Sequence, residues 1–222
     1  TKKPKMFKKK IEENIKKFFF KYTKIGAPSY SYNLDPLQLT EIINSLEKVK
    51  NIKGCICEIG VARGMTTRFI CEHLKDTDFT SDFFCIDTFE SFVKEDIEYE
   101  IEKRKKSKSE LIGFSYNDYD TWKKNFSEFK FVKPIKYDVK NFNFKDIKPI
   151  KFVLLDVDLY LPTLTALNNL KDNMTNGGII IVDDVSKNNS WDGADQAFHE
   201  FVKENSLEFR LIGKKCGYIE FK

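Results

Sequence analysis

Short apolar runs alternate with helical periods along most of this chain. Lys151-Phe-Val-Leu-Leu155 and Gly177-Gly-Ile-Ile-Ile-Val182 are almost wholly apolar, which predicts strands buried on both faces of a parallel sheet. Cys55–Ile59, Phe83–Ile86 and Val132–Tyr137 read as further strands, with Phe152–Leu155 and Ile179–Val182 as the cores of the two most apolar runs. Asp35-Pro36 combines an N-cap with proline at the first helical position. Leu39, Ile42, Ile43, Leu46 and Val49 then give that helix its buried face. Helices are predicted over Thr66–Leu74, Tyr119–Glu128, Thr163–Asn173 and Ala194–Asn205. Phe209–Ile212 and Tyr218–Phe221 read as a closing hairpin around Gly213 and Gly217. The alternation predicts an α/β fold, a doubly wound and mostly parallel sheet with helices on both faces.

The first 34 residues differ from the rest. Phe7, Ile11, Ile15, Phe18 and Tyr22 recur at helical spacing and form one apolar stripe. Residues 1–24 hold ten lysines and two glutamates, a local charge of +8, so the net +4 of the chain leaves −4 for the remainder. A basic amphipathic helix of this kind packs its stripe on its own domain or on a sister subunit; the other reading is contact with an anionic membrane surface. A homodimer is left open. Gly26-Ala-Pro-Ser29 reads as a linker, which divides the chain into a basic arm, 1–34, and a main domain, 35–222.

At 222 residues, 41% hydrophobic and 32% charged, the chain has the composition of a globular protein with a sizeable core. No apolar run approaches the roughly 20 residues of a membrane span. No apolar segment with a small-residue cleavage site follows the basic start, so the expected location is cytoplasmic. Thr1 is not an initiator methionine, which leaves room for residues upstream. Five cysteines without a CxxC pair read as buried reduced thiols, and Cys71 with His73 lacks the second ligand pair of a zinc site. The basic excess is confined to the arm and to Lys103–Lys106, so nucleic acid is not an expected partner.

The candidate chemistry lies where strands end. Asp156 follows one apolar run, Asp183-Asp184 follow the other, and Asp158 adds a fourth acid. Open α/β folds bind ligands at the carboxyl edge of the sheet, and clustered carboxylates suit a hard divalent cation. The first strand runs into Glu58-Ile-Gly60-Val-Ala-Arg63-Gly64-Met-Thr66. Glycines there let a ligand approach the backbone, and the helix that follows offers its amides to an anion. Glu58 stands where a dinucleotide fingerprint has its first glycine, and the later spacing is one residue longer. A ligand with a carboxylate and an ammonium group fits better than a pyrophosphate. Asp87, ending the next strand, is placed for ribose hydroxyls. Asp138, ending the third, is placed for an adenine amino group.

E-x-G-x-x-x-G at Glu58–Gly64, D-T-F-E at Asp87–Glu90, D-x-D-L-Y at Asp156–Tyr160 and G-G-x-x-x-V-D-D at Gly177–Asp184 occur in this order. Together, over about residues 35–222, they resemble the macrocin O-methyltransferase family, which includes the novobiocin-pathway sugar O-methyltransferases. The resemblance implies a class I S-adenosylmethionine-dependent enzyme with a seven-stranded sheet whose last strand is antiparallel. It implies a cofactor site lined by Glu58, Gly60, Arg63, Gly64, Thr66, Asp87, Thr88 and Asp138, with Asp156 at its edge. It further implies Mg²⁺ or Mn²⁺ on Asp156, Asp183 and Asp184, and Asp158 as the general base.

Two departures stand out. Tyr30-Ser-Tyr32 replaces the family's Thr-Met segment, and Asp195 occupies the place of an arginine, so the charge near the acceptor differs. The long charged segment 88–117 is expected to be either a substrate lid or a solvated insertion. A bound cation would polarise and orient an acceptor hydroxyl, and Asp158 would accept its proton. Asp156 and Asp158, two apart on a continuing strand, would face the same way. The acceptor is expected to be a small molecule with a vicinal diol, a sugar or a catechol-like compound. His73 and His199, without obvious acidic partners, read as structural. Two other classes remain: a NAD(P)-linked oxidoreductase, disfavoured by the Glu58 spacing, and a non-catalytic nucleoside-binding domain, disfavoured by the full carboxylate set. Binding of S-adenosylhomocysteine against NADH, with and without Mg²⁺, discriminates them.

Overall fold

The computed structural model describes residues 3–188 and 191–222. They form two compact units, 1–33 and 34–222. The first contains helix α1, Lys3–Tyr22, followed by a 3-10 turn at Lys24–Gly26. Every residue from Phe7 to Tyr22 is exposed.

The second unit opens with helix α2, Pro36–Val49. Asp35 caps it by accepting hydrogen bonds from the amides of Leu37 and Gln38, and Gln38 Oε1 accepts one from the Asp35 amide in return. This reciprocal box satisfies orphan amides of the first turn. Then follow β1 (Cys55–Ile59), α3 (Met65–Leu74), β2 (Phe83–Asp87), α4 (Lys94–Glu102), α5 (Tyr119–Asn125), β3 (Val132–Lys136), β4 (Ile150–Leu155), α6 (Tyr160–Lys171), β5 (Met174–Val182), α7 (Gly193–Glu204), β6 (Phe209–Ile212) and β7 (Cys216–Glu220).

The seven strands form one sheet in the order β3-β2-β1-β4-β5-β7-β6. Strands β1 to β5 pair in parallel, and β7 is antiparallel to both β5 and β6. This is the α/β architecture that the apolar runs and the resemblance both predicted. Phe152, Val153, Ile180 and Ile181 in the central strands are fully buried, as strands covered on both faces must be. Leu167 and Leu170 of α6 and Phe198 and Phe201 of α7 join one apolar cluster with Val153, Ile180 and Val182. Helix α2 packs against β4 and β5, and α3 lies against α2. All five cysteines are free and buried.

The observed elements depart from the sequence reading at β5 and in segment 88–117, among other places. Strand β5 begins at Met174, because its register against β4 skips from Ile150↔Met174 to Phe152↔Ile179 and residues 175–178 bulge out. Segment 88–117 is not a solvated insertion throughout. It contains α4, whose buried Asp96 and Glu100 are both partnered. Asp96 accepts two hydrogen bonds from Lys140 Nζ (2.8 and 2.7 Å). Glu100 accepts from the Tyr160 amide (2.8 Å) and from Arg104 Nε (2.7 Å). The charged pattern that suggested solvent carries anchors into the fold.

Candidate active site

The sheet register levels the strand ends. Ile86 pairs with Ile59, Ile59 with Leu155, and Leu155 with Val182. The residues that follow this row are Asp87, Gly60, Asp156 and Asp183. The ladder continues one step beyond the strands: Gly60 N donates to Ile86 O (2.9 Å), Asp156 N to Ile59 O (2.8 Å) and Asp183 N to Leu155 O (2.9 Å). Four sequence-predicted residues from four strands thus stand side by side at the carboxyl edge, where α/β folds bind ligands.

The β1 loop fits closely against this rim. Gly60 has φ +81°, and a Cβ there would lie 1.7 Å from the carbonyl oxygen of Asp156. Gly64, at φ +87°, would drive a Cβ into Phe126 and Trp122. Those two rings stack at 4.1 Å over the loop. Both glycines are therefore required by space as well as by the left-handed backbone. Thr66 lies in the first turn of α3, and Arg63 is exposed at the outer edge of the loop.

Glu58 is buried, and its Oε2 has no hydrogen-bond partner. Burial pushes its carboxyl up to about 8, with the neighbouring Thr67 hydroxyl opposing and the charge of Asp87 adding. An orphaned buried acceptor beside a glycine cradle and a helix N-terminus suits a ligand that brings an ammonium and a carboxylate.

Asp87 is more committed than the sequence suggested. Its Oδ2 accepts from the amides of Val61 (2.7 Å) and Ala62 (3.1 Å), and its Oδ1 from Phe89 (2.6 Å). It thereby ties the β1 loop to the end of β2. Burial raises its pKa, and the three amides oppose that. Thr88 Oγ1 accepts from the Glu90 amide at 3.3 Å. Asp138 lies two residues beyond β3; it caps the following turn through Lys140 N (3.0 Å) and pairs with Lys140 Nζ (3.1 Å).

The acidic cluster is built differently from the continuing strand that was expected. Strand β4 stops at Leu155, and Asp158 has a left-handed backbone, φ +60°. Side-chain alternation therefore does not carry past Leu155, and the same-face argument for Asp156 and Asp158 fails. They come together through the turn instead. Asp184 is also left-handed, φ +59°. Non-glycine residues held there cost on the order of 1–3 kcal/mol each. Burial first, then the facing Asp184, pushes the Asp158 carboxyl well above the usual range. Burial and the charges of Asp183, Asp158 and Asp184 do the same to Asp156. Asp183 is raised to about 6 by burial and by Asp184, against the pull of Lys215 and Gln38.

Two residues of the cluster went unnoticed in the sequence. Gln38 Nε2 donates to Asp183 Oδ1 at 2.5 Å, so the α2 capping residue also reaches the site. Lys215 Nζ, from the β6–β7 turn, donates to Asp183 Oδ2 (2.8 Å) and Asp184 Oδ1 (2.6 Å). Burial works against its charge, but the two carboxylates outweigh it and hold the ammonium above the ordinary lysine range. Asp35 steers that turn by accepting from the Lys214 amide at 3.2 Å. A capping box at Asp35–Gln38 was a readable signal; nothing local marked Lys215.

The donor set of the rim suits a divalent cation: oxygen only, four carboxylates against one ammonium. As the side chains stand, Asp183 and Asp184 turn to Lys215, and among the described residues no three His, Cys, Asp or Glu side chains are arranged to hold an ion. Both histidines do have acidic neighbours, against expectation: His73 Nε2 lies 3.0 Å from Glu47 and His199 Nε2 3.4 Å from Asp195. Neither is at the rim. The surface depression lined by Arg104, Asp192, Asp195, His199 and Lys203 holds none of the rim carboxylates.

Residues 20–216 match the model of the macrocin O-methyltransferase family. The chain belongs to that family. It is an S-adenosylmethionine-dependent O-methyltransferase, which excludes the oxidoreductase and the non-catalytic readings. No curated protein sequence matches it. Among solved structures it is similar to the calicheamicin methyltransferase CalS11, with TM-score 0.63 and 16% identity over 82% of this chain and 78% of that one. The O-methyltransferase NovP gives TM-score 0.59 and 22% identity over 83% and 79%. A putative caffeoyl-CoA O-methyltransferase from Staphylococcus aureus gives 0.55 and 14% over 98% and 99%. At these identities the structures speak for the fold, and the family match for the activity.

Proposed function

We propose that this O-methyltransferase transfers the methyl group to a hydroxyl of a sugar or another small vicinal diol, assisted by a divalent cation. The level row Gly60, Asp87, Asp156 and Asp183 carries the reading, because it sets the glycine loop against the acidic cluster. CalS11 is a TDP-rhamnose 3′-O-methyltransferase, which supports a sugar acceptor here.

In this reading Gly60, Gly64 and Thr66 present the backbone and helix amides to the methionine carboxylate, and Glu58 faces its ammonium. Arg63 and Thr88 border the same pocket. Asp87 fixes the loop and shares its remaining lone pairs with the ribose. Asp138 lines the adenine end. Asp156, Asp183 and Asp184 would hold Mg²⁺ or Mn²⁺, which supplies polarisation of the acceptor hydroxyl when bound. Asp158, buried and with a raised pKa, accepts the hydroxyl proton as the carbon–oxygen bond forms. Gln38 keeps Asp183 oriented, and Lys215 neutralises part of the cluster.

The test is methyl transfer from labelled S-adenosylmethionine to nucleoside-diphosphate sugars and catechols, with EDTA and with Mg²⁺ added back. Transfer to a sugar that stops in EDTA and returns with Mg²⁺ is the expected result. Full activity in chelator removes the cation from the reading. Transfer to catechols alone removes the sugar.

A further inference from the structure

The arm plays no part in the chemistry above, and its surface asks for a partner of its own. Helix α1 is defined to its end: Thr23 donates to Phe19 O through both its amide (3.1 Å) and its hydroxyl (2.8 Å), and its Oγ1 accepts from Ile25 N, starting the 3-10 turn. At about 100° per residue, Phe7, Ile11, Ile15, Phe18 and Tyr22 fall on one face. The first unit itself leaves them open: Phe7 is 69% exposed, Ile15 50%, Phe18 56% and Tyr22 69%. Phe18 and Tyr22 touch each other, with ring centroids 5.6 Å apart. Phe20 sits on the opposite face.

Lysines border this stripe. Lys8 falls at one margin, Lys10, Lys17 and Lys21 at the other, and Lys9 and Lys16 lie behind. Two glutamates, Glu12 and Glu13, oppose them. Residues 1–33 carry +8 and residues 34–222 carry −4. An apolar face flanked by cations is what an anionic lipid surface accommodates: rings enter the acyl boundary while ammonium groups stay at the headgroups. An antiparallel second copy of the helix would bring the Lys10, Lys17 and Lys21 margin against its own counterpart. A phosphate backbone would use the lysines and leave the stripe in water. No described helix is long and apolar enough to cross a membrane, so the contact is one of lying on the surface.

We propose that helix α1 docks this protein on an anionic phospholipid bilayer, apolar stripe inward, independently of the acceptor that the main domain methylates.

The full chain tests this in a flotation assay with phosphatidylcholine vesicles, alone or with 30% phosphatidylglycerol as the probe composition. The expected result is flotation with the anionic vesicles only, reversed by 0.5 M salt as surface charges are screened. Ile15→Glu with Phe18→Glu should abolish it. Lys10→Gln with Lys17→Gln and Lys21→Gln should weaken partitioning about 100-fold. Both variants should bind S-adenosylhomocysteine like the parent, which shows that the main domain is folded. Absence of flotation, or equal flotation with neutral vesicles, overturns the proposal. So does a parent dimer that Ile15→Glu/Phe18→Glu turns monomeric in light scattering. Duplex binding that survives the same change, without flotation, assigns the lysines to nucleic acid and also overturns it.

Discussion

The two halves of the sheet's carboxyl edge handle buried negative charge in opposite ways. On the β1–β2 side, Asp87 is surrounded by backbone amides of Val61, Ala62 and Phe89, and the loop is complete as it stands. On the β4–β5 side, Asp156, Asp158, Asp183 and Asp184 share one lysine. Amide dipoles are fixed by the backbone and cost nothing to reorganise, whereas an ammonium on a flexible stem can withdraw. One half is therefore a preformed cradle. The other is a concentration of carboxylates whose balance rests on Lys215.

The largest expected effect breaks the acidic half. In the proposed mechanism Asp158→Asn keeps the shape and removes the proton acceptor, so turnover should fall roughly 10²–10⁴-fold with S-adenosylhomocysteine affinity unchanged in calorimetry. Near parental single-turnover rates in that variant would demote Asp158 to a structural role.

The cradle should break next. Asp87→Ala strands three amides, and an unsatisfied buried amide costs about 1–3 kcal/mol. Both thermal stability and S-adenosylhomocysteine affinity should drop. A variant that melts like the parent and loses only affinity would make Asp87 a ligand contact and not a loop organiser.

Lys215→Met sharpens the contrast. Removing the ammonium leaves Asp183 and Asp184 facing each other, with an expected loss on the order of 1–3 kcal/mol in EDTA. Mg²⁺ should restore more stability to the variant than to the parent in thermal melts. Equal Mg²⁺ shifts would show that lysine and cation do not share the pair.

A pH-dependent effect concerns Glu58. Its folded pKa, about 8, lies above its ordinary 4.5, so the folded state holds a proton that the unfolded chain releases. Stability should then fall as pH rises from about 4.5 to 8, by at most about 1.4 kcal/mol per pH unit. Glu58→Gln should flatten that slope across melts at pH 5 to 8. An unchanged slope would place the titration elsewhere.

Much of this was legible in the sequence for a physical reason: strands buried on both faces must be apolar throughout. The runs at Phe152–Leu155 and Ile179–Val182 therefore announced central strands, and the acids that end them announced the rim. Helix α4 was hidden, because its buried positions are Asp96 and Glu100 and a polarity pattern reads those as solvent-facing. The bulge at 175–178 was hidden too, since register belongs to a pair of strands and not to one.

By itself the sequence determined the α/β alternation, the order of acids along the chain, and the stripe and charge of the arm, since each rests on local periodicity. Only the tertiary structure decided who neutralises whom. Gln38 and Lys215 are 145 and 32 positions from Asp183, and they meet it because the α2 cap and the β6–β7 turn are brought to the same edge. The left-handed turns at Asp158 and Asp184 were likewise decided there. A packed rim imposes such a backbone against the local preference of an aspartate, and no window of sequence contains the packing.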